Sequence, residues 1–477
     1  MTATTNRTAS RATLHTASRR LRAGARGSRA AWPSVPSMAA LGAGVALAAF
    51  AQTSSYLFSP VVRWTSLTVA AREGLLLPAL VVAVAAAAFG RSYRVHGLVI
   101  GRLCAGGTFR VLSRQIAGCC AATLAGYVVA LTPLAARTAM HADYGAPDLP
   151  ALLSALTTLA SVTVCASVLG AVVASRWMTV LLPLVTFVWL NGGVMLTNTV
   201  LTNTGLSALM PAPLWGNDFP MPGTEIVPAS SLYRIALFAA LGLAALRVGR
   251  DVLDDVGRRD RVTDVPLWIG AAVAVAMTVA SIVVPMPLVR HDGRTEVCSD
   301  ASARVTVCVH PADRGLVGVI ADTAHRVIAL APLPHVTVAE QFSGAEWRNA
   351  EDAAMFPAPA GGAGAESIAA EIRQTMVQSV AGRMRCPAPV VGEGRALSEG
   401  ENVLSVVQQE ILARLGGSTT SGVDVETGET VSRRGGALAD ALARLDDARF
   451  ADWFTRHGEL LRSCEATEAQ VMPGAEG

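Results

Sequence analysis

The chain of 477 residues contains no lysine, and all 39 of its basic residues are arginine. A Walker A loop needs its lysine against the β- and γ-phosphates of a nucleotide, and a Ser-x-x-Lys catalytic arrangement also needs one. Both are excluded, so the chain cannot hydrolyse ATP by the first route. Charged residues of either sign make up only 16% of the chain, against roughly 25% in soluble domains. The net charge of +3 is too small to indicate a nucleic-acid partner.

Charge is scarcest between Met38 and Val289, where apolar stretches follow one another. A hydrocarbon core about 30 Å thick is crossed by about 20 apolar helical residues. The sequence therefore predicts an α-helical polytopic membrane bundle of about seven transmembrane helices. One of them is weaker than the others, because Arg234 and Arg247 leave only twelve uncharged residues between them. The predicted spans are Met38–Phe58, Gly74–Gly90, Ile116–Ala136, Pro150–Ser175, Met178–Thr197, Tyr233–Val248 and Val265–Val289.

Arginine placement predicts the orientation of the bundle, because basic residues next to a span are retained in the cytoplasm. Eighteen arginines lie in the N-terminal stretch and in every second loop, against three in the other loops. Residues 1–37 are predicted to be an Arg-rich cytoplasmic N-terminus, residues 38–289 the membrane domain of a plasma-membrane protein, and residues 290–477 an extracytoplasmic domain. An alternative, in which Ser18–Leu21 begins a cleaved twin-arginine signal, leaves the remaining topology unchanged.

Residues 290–477 have the composition of a water-soluble domain, and their patterns predict an α+β fold. Two short β-like runs, Thr295–Cys298 and Arg304–His310, can pair as a hairpin. Apolar residues at helical spacing follow Pro311 and end before Pro332, and His335–Glu340 then alternates like a strand. The remaining predictions are a Pro/Gly/Ala linker at Phe356–Ala365, a polar loop at Ser418–Ser432, helices over Ile368–Val380 and Val403–Leu415, and a terminal helical pair over Leu438–Leu461.

The eight cysteines divide evenly between the two parts of the chain. In the external part, Cys298, Cys308, Cys386 and Cys464 are an even number in an oxidising compartment, which suggests disulfides with three possible pairings. The predicted hairpin favours Cys298–Cys308 and leaves Cys386–Cys464. Four buried thiols or metal ligation are the alternatives, although no CxxC or HxxxH spacing supports a metal site. The other four, which lie in or beside spans and act there as small apolar side chains, are Cys104, Cys119, Cys120 and Cys165.

Catalytic patterns are weak throughout the chain, which contains neither HExxH nor GxSxG. Asp322 and His325 share a helix face and could act as an orienting carboxylate and a base, but a solvated surface pair is the plainer interpretation. Glu73 is the acid nearest to the membrane, and the neighbouring Arg72 indicates an interfacial position for it. The sequence therefore predicts no enzymatic activity, no cofactor and no metal.

The order of the membrane features carries a family resemblance. The Arg-rich N-terminus leads into the first span, the second span ends at Phe89-Gly90-Arg91 before a basic loop, and the fourth ends at Gly170–Arg176. This arrangement resembles the permease subunits of ABC-2-type exporters. The segment Cys298–Gln341, with Val307-Cys308-Val309-His310-Pro311, also resembles an external domain of unknown function that is fused to permease-like proteins in actinobacteria. Such permeases usually have six spans and both ends inside, so the predicted seventh span is a departure from the pattern.

The resemblance implies a permease-like subunit of an ABC-2-type transporter that works with a separate ATPase. The cytoplasmic loop 91–115 would carry the coupling helix that docks onto this ATPase, through apolar and basic contacts together. A second permease or a second copy of the chain is a further candidate partner beside the lipid bilayer. Retention of positive charge in the cytoplasm would explain the arginines without any docking, and the alternative function is a membrane-anchored extracytoplasmic binding or assembly module whose spans act as a scaffold. The residues of the predicted coupling loop are Arg91, Arg94, Leu98, Ile100, Leu103 and Arg110.

Overall fold

A computed structural model of the chain contains a bundle of apolar helices and a C-terminal domain built on a four-stranded sheet. The Arg-rich residues 1–33 lie outside the residues that it describes. Those residues are 34–101, 107–173, 175–199, 222–254, 269, 272–273, 275–277, 279–280, 289–342, 353–359, 361–382, 399–416, 422–423, 430–431 and 436–473.

The bundle is formed by long helices that agree with a polytopic membrane protein. Within the described residues, five helical segments are long and apolar enough to cross a bilayer: Val35–Phe58, Trp64–Tyr93, Phe109–His141, Leu149–Val173 and Pro228–Leu253. In the helix that begins at Met178, the segment Met178–Leu190 is apolar but shorter than these five segments, within the residues that are fully described. The predicted span Val265–Val289 falls mostly outside the described residues. The helices of the bundle are α1 (Val35–Phe58), α2 (Trp64–Glu73), α3 (Leu76–Gly101), α4 (Gly107–His141), α5 (Leu149–Val173), α6 (Met178–Thr199) and α7 (Pro228–Asp254).

Two of these helices differ from the sequence prediction. The stretch between the first two predicted spans was expected to be a loop, but most of it forms α2, whose Leu67 and Ala70 are buried. Helix α7 extends well beyond the weak predicted span Tyr233–Val248, to 27 residues. It passes through Arg234 and Arg247 without interruption because both side chains are buried inside the bundle rather than marking its ends.

Two helix pairs in the bundle approach until their backbones touch. A Cβ atom at Gly90 of α3 would overlap the carbonyl oxygen of Ser167 on α5, and one at Gly170 of α5 would overlap α3 in the same way. A Cβ atom at Gly126 of α4 would likewise overlap Gly42 of α1. Small residues allow this close approach, which supplies the van der Waals contacts that hold membrane helices together.

A two-stranded sheet links the start of α7 to the start of the C-terminal domain. Strand β1 (Thr224–Ile226) precedes α7 and pairs antiparallel with β2 (Val289–His291), so that Thr224 lies opposite His291. The chain therefore leaves this point along α7 and is back beside it at Val289.

The C-terminal domain is built on a sheet with the order β3-β4-β5-β6. Strands β3 (Val297–Ser302) and β4 (Val305–Val309) form the predicted antiparallel hairpin. Helix α8 (Val317–Leu330) then crosses over, so that β5 (Val336–Gln341) lies parallel to β4. A parallel pair requires such a crossover because the chain must return to the same end of the sheet. The domain thus mixes helices and strands, as predicted.

Helices cover this sheet and supply most of the domain core. Their predicted apolar stripes are buried, with Ile320, Ile372, Val407 and Phe454 all in one hydrophobic cluster. This agrees with the helical spacing of those residues in the sequence. The helices after α8 are α9 (Ala365–Val380), α10 (Glu399–Arg414), α11 (Ala437–Ala443), α12 (Asp447–Arg462) and α13 (Glu468–Val471).

Two segments that the sequence predicted to be irregular contain strands. Strand β6 (Ala353–Pro357) runs into the predicted linker Phe356–Ala365 and pairs parallel with β5, with Phe356 buried in the core. Inside the predicted polar loop Ser418–Ser432, β7 (Gly422–Val423) pairs with β8 (Thr430–Val431). Both predictions were wrong at these residues because the strands are short and are stabilised by pairing, which local composition does not reveal.

Candidate functional site

The C-terminal domain packs against the loop that joins α1 and α2. The side chain of Val61, in this loop, is buried in the hydrophobic core of the C-terminal domain. Next to it, the Ser59 hydroxyl donates a hydrogen bond of 2.7 Å to the backbone carbonyl of Ala363. Arg137 of α4 fixes the same loop, because its guanidinium donates to the carbonyls of Leu57 and Ser59 at 2.6 Å each. The bundle and the domain therefore share one packed junction.

Arg63 lies at the centre of this junction, and its side chain is only 5% exposed. Its Nε donates to Asp313 Oδ1 at 2.6 Å, and its Nη1 donates to the carbonyl of Pro359 at 3.0 Å. Its Nη2 lies 3.7 Å from Glu340 Oε1. Asp313 belongs to a 3-10 helix (Pro311–Leu316) and Glu340 to β5, so one arginine from the bundle binds two elements of the C-terminal domain.

The two carboxylates that face Arg63 are in different electrostatic situations. Glu340 is completely buried, and this burial, followed by the charge of Asp313, raises its pKa well above the ordinary value. Burial therefore favours the protonated form of Glu340, and the carboxylate closest to the Arg63 guanidinium is that of Asp313. A protonated Glu340 can donate to Asp313 Oδ2, which otherwise has no hydrogen-bond partner among the described residues. The other carboxyl oxygen of Glu340, Oε2, accepts a hydrogen bond of 2.8 Å from the backbone N–H of His310.

His310 extends the junction to the loop between α4 and α5. Its Nε2 lies 3.0 Å from Asp292 Oδ2, and Tyr144 from that loop donates its hydroxyl to the same oxygen at 3.3 Å. The rings of Tyr144 and Phe342 both pack edge-on against the imidazole. Burial lowers the pKa of His310, although Asp292 acts in the opposite direction. The imidazole is therefore neutral at neutral pH.

A His–Asp pair can act as a general base, but the geometry here argues against that role. His310 Nδ1 accepts a hydrogen bond from the backbone N–H of Ala312 at 3.2 Å, which caps the 3-10 helix. The proton of the neutral ring must then lie on Nε2, where it is donated to Asp292. Both ring nitrogens are engaged inside the protein, so no lone pair remains for a substrate. We interpret the pair as part of the junction that holds the domain on the bundle.

The cysteines behave as structural groups in the described part of the chain. Cys298 and Cys308 form a disulfide with an S–S distance of 2.07 Å, as the hairpin predicts, and lie directly opposite each other in the strand register. Glu296 lies close to both sulfurs, but the sulfurs are bonded to each other and cannot act as thiolate ligands. Cys464 is also disulfide-bonded, and its predicted partner Cys386 lies outside the described residues.

The predicted coupling loop is mostly helical and not a separate element. The segment that contains Arg91, Arg94, Leu98 and Ile100 continues α3 to Gly101, and Arg110 lies exposed in the first turn of α4. Leu103 lies outside the described residues. The sequence analysis expected this connection between two spans to carry a helix, and its described residues are helical because the end of the apolar stretch does not end the helix. The segment contains no proline, and the helix passes through Gly90 without a break. The docking role of these residues stays a prediction.

The junction residues were missed by the sequence analysis. Arg63, Asp313 and Glu340 are far apart in the chain and belong to no motif. The available signal was Arg63 itself, one of only three arginines in the predicted outer loops. Similarly, Asp322 and His325 were singled out as a pair, but both lie exposed on α8, in agreement with a solvated surface pair.

Comparison with protein families, curated proteins and solved structures finds no match for this chain. Its function therefore has to be argued from the arrangement of its own residues.

Proposed function

We propose that the chain is a permease-like subunit of an ABC-2-type transporter, without enzymatic activity of its own, that couples to a separate ATPase. The observation that carries this proposal is the length of α3 and α4 on the arginine-rich side of the bundle. Helix α3 runs eleven residues beyond Gly90, and α4 begins nine residues before Ile116. At about 1.5 Å per residue, each helix extends roughly 13–16 Å past its apolar segment.

A projecting pair of helices is a suitable surface for a cytoplasmic partner. The connection between α3 and α4 is short, and the apolar residues Leu98 and Leu103 lie in a region that is otherwise rich in arginine. A groove on an ATPase could receive such a helix through apolar anchors while the guanidinium groups contact acidic residues at its rim. A loop that served only to retain positive charge would need neither the helical extension nor the apolar residues.

The sheet between β1 and β2 supports the predicted topology with a seventh span. Helix α7 has 27 residues and is therefore about 40 Å long. Because β2 pairs with the strand that precedes α7, the chain has to return over that length between Asp254 and Val289. The apolar stretch that begins at Val265 is long enough for this return. In this topology the loops that carry Arg63 and Tyr144 lie outside, on the same side as the C-terminal domain that they contact.

The junction is also compatible with the alternative function, namely an extracytoplasmic binding or assembly module for which the bundle is a scaffold. A domain held by a buried ion pair and a buried loop side chain is oriented firmly relative to the membrane. Such an orientation is useful for a transporter and equally for a module that presents a surface outside the cell. The two functions differ in whether an ATPase binds.

Affinity purification in mild detergent tests the proposal. We expect the wild type to co-purify an ATPase, and Leu98→Ser with Leu103→Ser to lose it while inserting normally, because insertion depends on the spans and the arginines. Val252→Ser is the matched control, since Val252 is an exposed apolar residue near the end of α7, on the same predicted side. A double variant that retains the ATPase at wild-type yield would contradict the coupling role. A wild type that never retains one would favour the scaffold function.

A further inference from the structure

Two cavities meet at Leu445 on the surface of the C-terminal domain. The larger has a volume of about 740 Å³ and lies between α10, α11 and the start of α12. The smaller has a volume of about 180 Å³ and lies between α12 and the residues that follow α13. Because Leu445 lines both of them, the two cavities are immediate neighbours.

The larger cavity is an acidic groove. Three carboxylates, those of Glu410, Asp446 and Asp447, line it together with one guanidinium, that of Arg414, so negative charge is in excess. Arg414 is already bonded, because it donates to Glu410 Oε1 at 2.8 Å and to Asp447 Oδ1 at 2.7 Å. The Asp447 side chain is nevertheless 71% exposed. The floor of the groove consists of small apolar side chains, namely those of Val406, Ala413, Ala439 and Ala443.

The smaller cavity is basic. Arg449 and Arg456 line it together with Asp452, so positive charge is in excess. All three side chains are exposed and lie on one face of α12, at helical spacing. The Arg449 side chain is 76% exposed, and its ion pair in the described part of the chain is a contact of 3.6 Å with the equally exposed Asp446. Such a pair contributes little, so a partner can bind the Arg449 guanidinium at small cost.

We propose that the two cavities form a two-fold interface between the C-terminal domains of two copies of the chain. In a two-fold dimer every contact is made twice, because each copy presents the same surface to the other. The acidic groove of each copy then faces the basic cavity of the other copy. The Arg449 side chain enters the opposite groove, and Leu445 lies near the two-fold axis, where the apolar centre of an interface is found.

The pairing of opposite charges in adjacent cavities favours a second copy over other occupants. A small ion, or a peptide of one charge, would balance one cavity and leave the other unchanged. A second copy carries both charges in the matching arrangement, and the Arg449 and Arg456 that it presents belong to a residue type that is enriched in interfaces. This inference does not rest on coupling to an ATPase.

Sedimentation equilibrium of the full-length protein in a density-matched nonionic detergent measures the association. We expect a dimer at about 0.1 M salt, where charges act over about 10 Å, and weaker association at about 1 M salt, where they act over about 3 Å. The first variant, Arg449→Glu with Arg456→Glu, makes both cavities acidic. The second variant, Asp447→Arg with Gln409→Arg, makes both cavities basic, since Gln409 also lines the groove. It leaves Asp446 in place, whose side chain caps α12.

Each variant alone should associate about a hundredfold more weakly than the wild type. An exposed ion pair is worth up to about fivefold in affinity, and each of the two reversed charges acts twice in a two-fold dimer. A mixture of the two variants should restore the dimer, because acidic surfaces then meet basic ones at both contacts. Arg304→Glu with Arg326→Glu is the matched control, since it reverses two exposed arginines outside both cavities, and it should associate like the wild type.

A wild type that is monomeric at about 0.1 M salt would overturn the proposal. A reversal variant that dimerises as strongly as the wild type would also overturn it, because another surface would then form the dimer. If each variant is monomeric and their mixture does not dimerise, the loss has a different cause and the pairing of the two cavities is wrong. If the first variant does not fold, the second decides the question, and unchanged association in that variant overturns the interface.

Discussion

Replacement of Arg63 by glutamine is the sharpest test of the junction between the bundle and the C-terminal domain. The substitution removes the partner of Asp313, which is 2% exposed, and leaves that carboxylate buried without a cation. It also removes the hydrogen bond to the carbonyl of Pro359. Glu340 should add less to the cost than Asp313, because burial raises its pKa and its Oε1 lies farther from the guanidinium, at 3.7 Å. The expected effect is therefore that of one stranded buried charge.

The size of this effect follows from the burial of the ion pair. Breaking a buried ion pair by removing one partner costs about 3–5 kcal/mol. For a domain of this size, each kcal/mol corresponds to about 2–4 °C in melting temperature. The melting temperature should therefore fall by roughly 6–20 °C.

This effect is measured by thermal melting of the full-length protein in detergent. Proteolysis of the C-terminal domain serves as the readout of its unfolding. Arg290→Gln is the matched control, since its ion pair with Glu225 is exposed, at 61% and 52% for the two side chains. An exposed pair contributes about 0–1 kcal/mol. The double variant Arg63→Gln with Asp313→Asn should be more stable than Arg63→Gln alone, because no charge is stranded. If Arg63→Gln melts within about 2 °C of Arg290→Gln, the difference is under about 1 kcal/mol, and the junction is not held by this ion pair.

Three further predictions address protonation, the disulfide and topology. Because its pKa is raised, Glu340 stabilises the fold fully below its unfolded pKa of about 4.3, and this contribution is lost as pH rises through the folded pKa. Melting curves of the wild type should therefore fall relative to Glu340→Gln as pH increases, and parallel curves would contradict the assignment. Replacement of Cys298 and Cys308 by alanine should cost about 3 kcal/mol for the closed loop of about ten residues, and equal melting temperatures would show that the bridge does not stabilise the domain. In whole cells, an impermeant maleimide should label cysteine at the exposed position Glu366 but not at the exposed position Arg110, and the reverse pattern would invert the topology.

Most of the helical architecture could be predicted from the sequence because it depends on local patterns. A run of about 20 apolar residues has to be helical in a bilayer, where each backbone N–H and C=O must be bonded within the segment. The stripe that includes Ile320 and Val327 likewise predicted the buried face of α8. The hairpin pair Cys298 and Cys308 was also predictable, since the two strands are close in the chain.

The prediction failed where helix limits and strands depend on distant partners. Helix α2 and the extension of α7 past Arg234 exist because neighbouring helices bury them, and an arginine in the sequence does not reveal whether it faces water. Strand β6 exists because β5 offers backbone groups for pairing. These outcomes depend on packing between segments that are distant in the chain, and a short stretch of sequence does not reveal such packing.

The sequence by itself determined that the chain has a series of apolar helices followed by a domain of mixed helix and strand. It also determined, through the absence of lysine, that no Walker A loop is present. Only the tertiary structure brought Arg63 into contact with Asp313, which is 250 positions away in the chain. It also brought Arg234 and Arg72 within electrostatic range of each other. The physical reason is the same in both cases. The energetic effect of a buried charge depends on the groups around it. Folding brings those groups together from distant parts of the sequence.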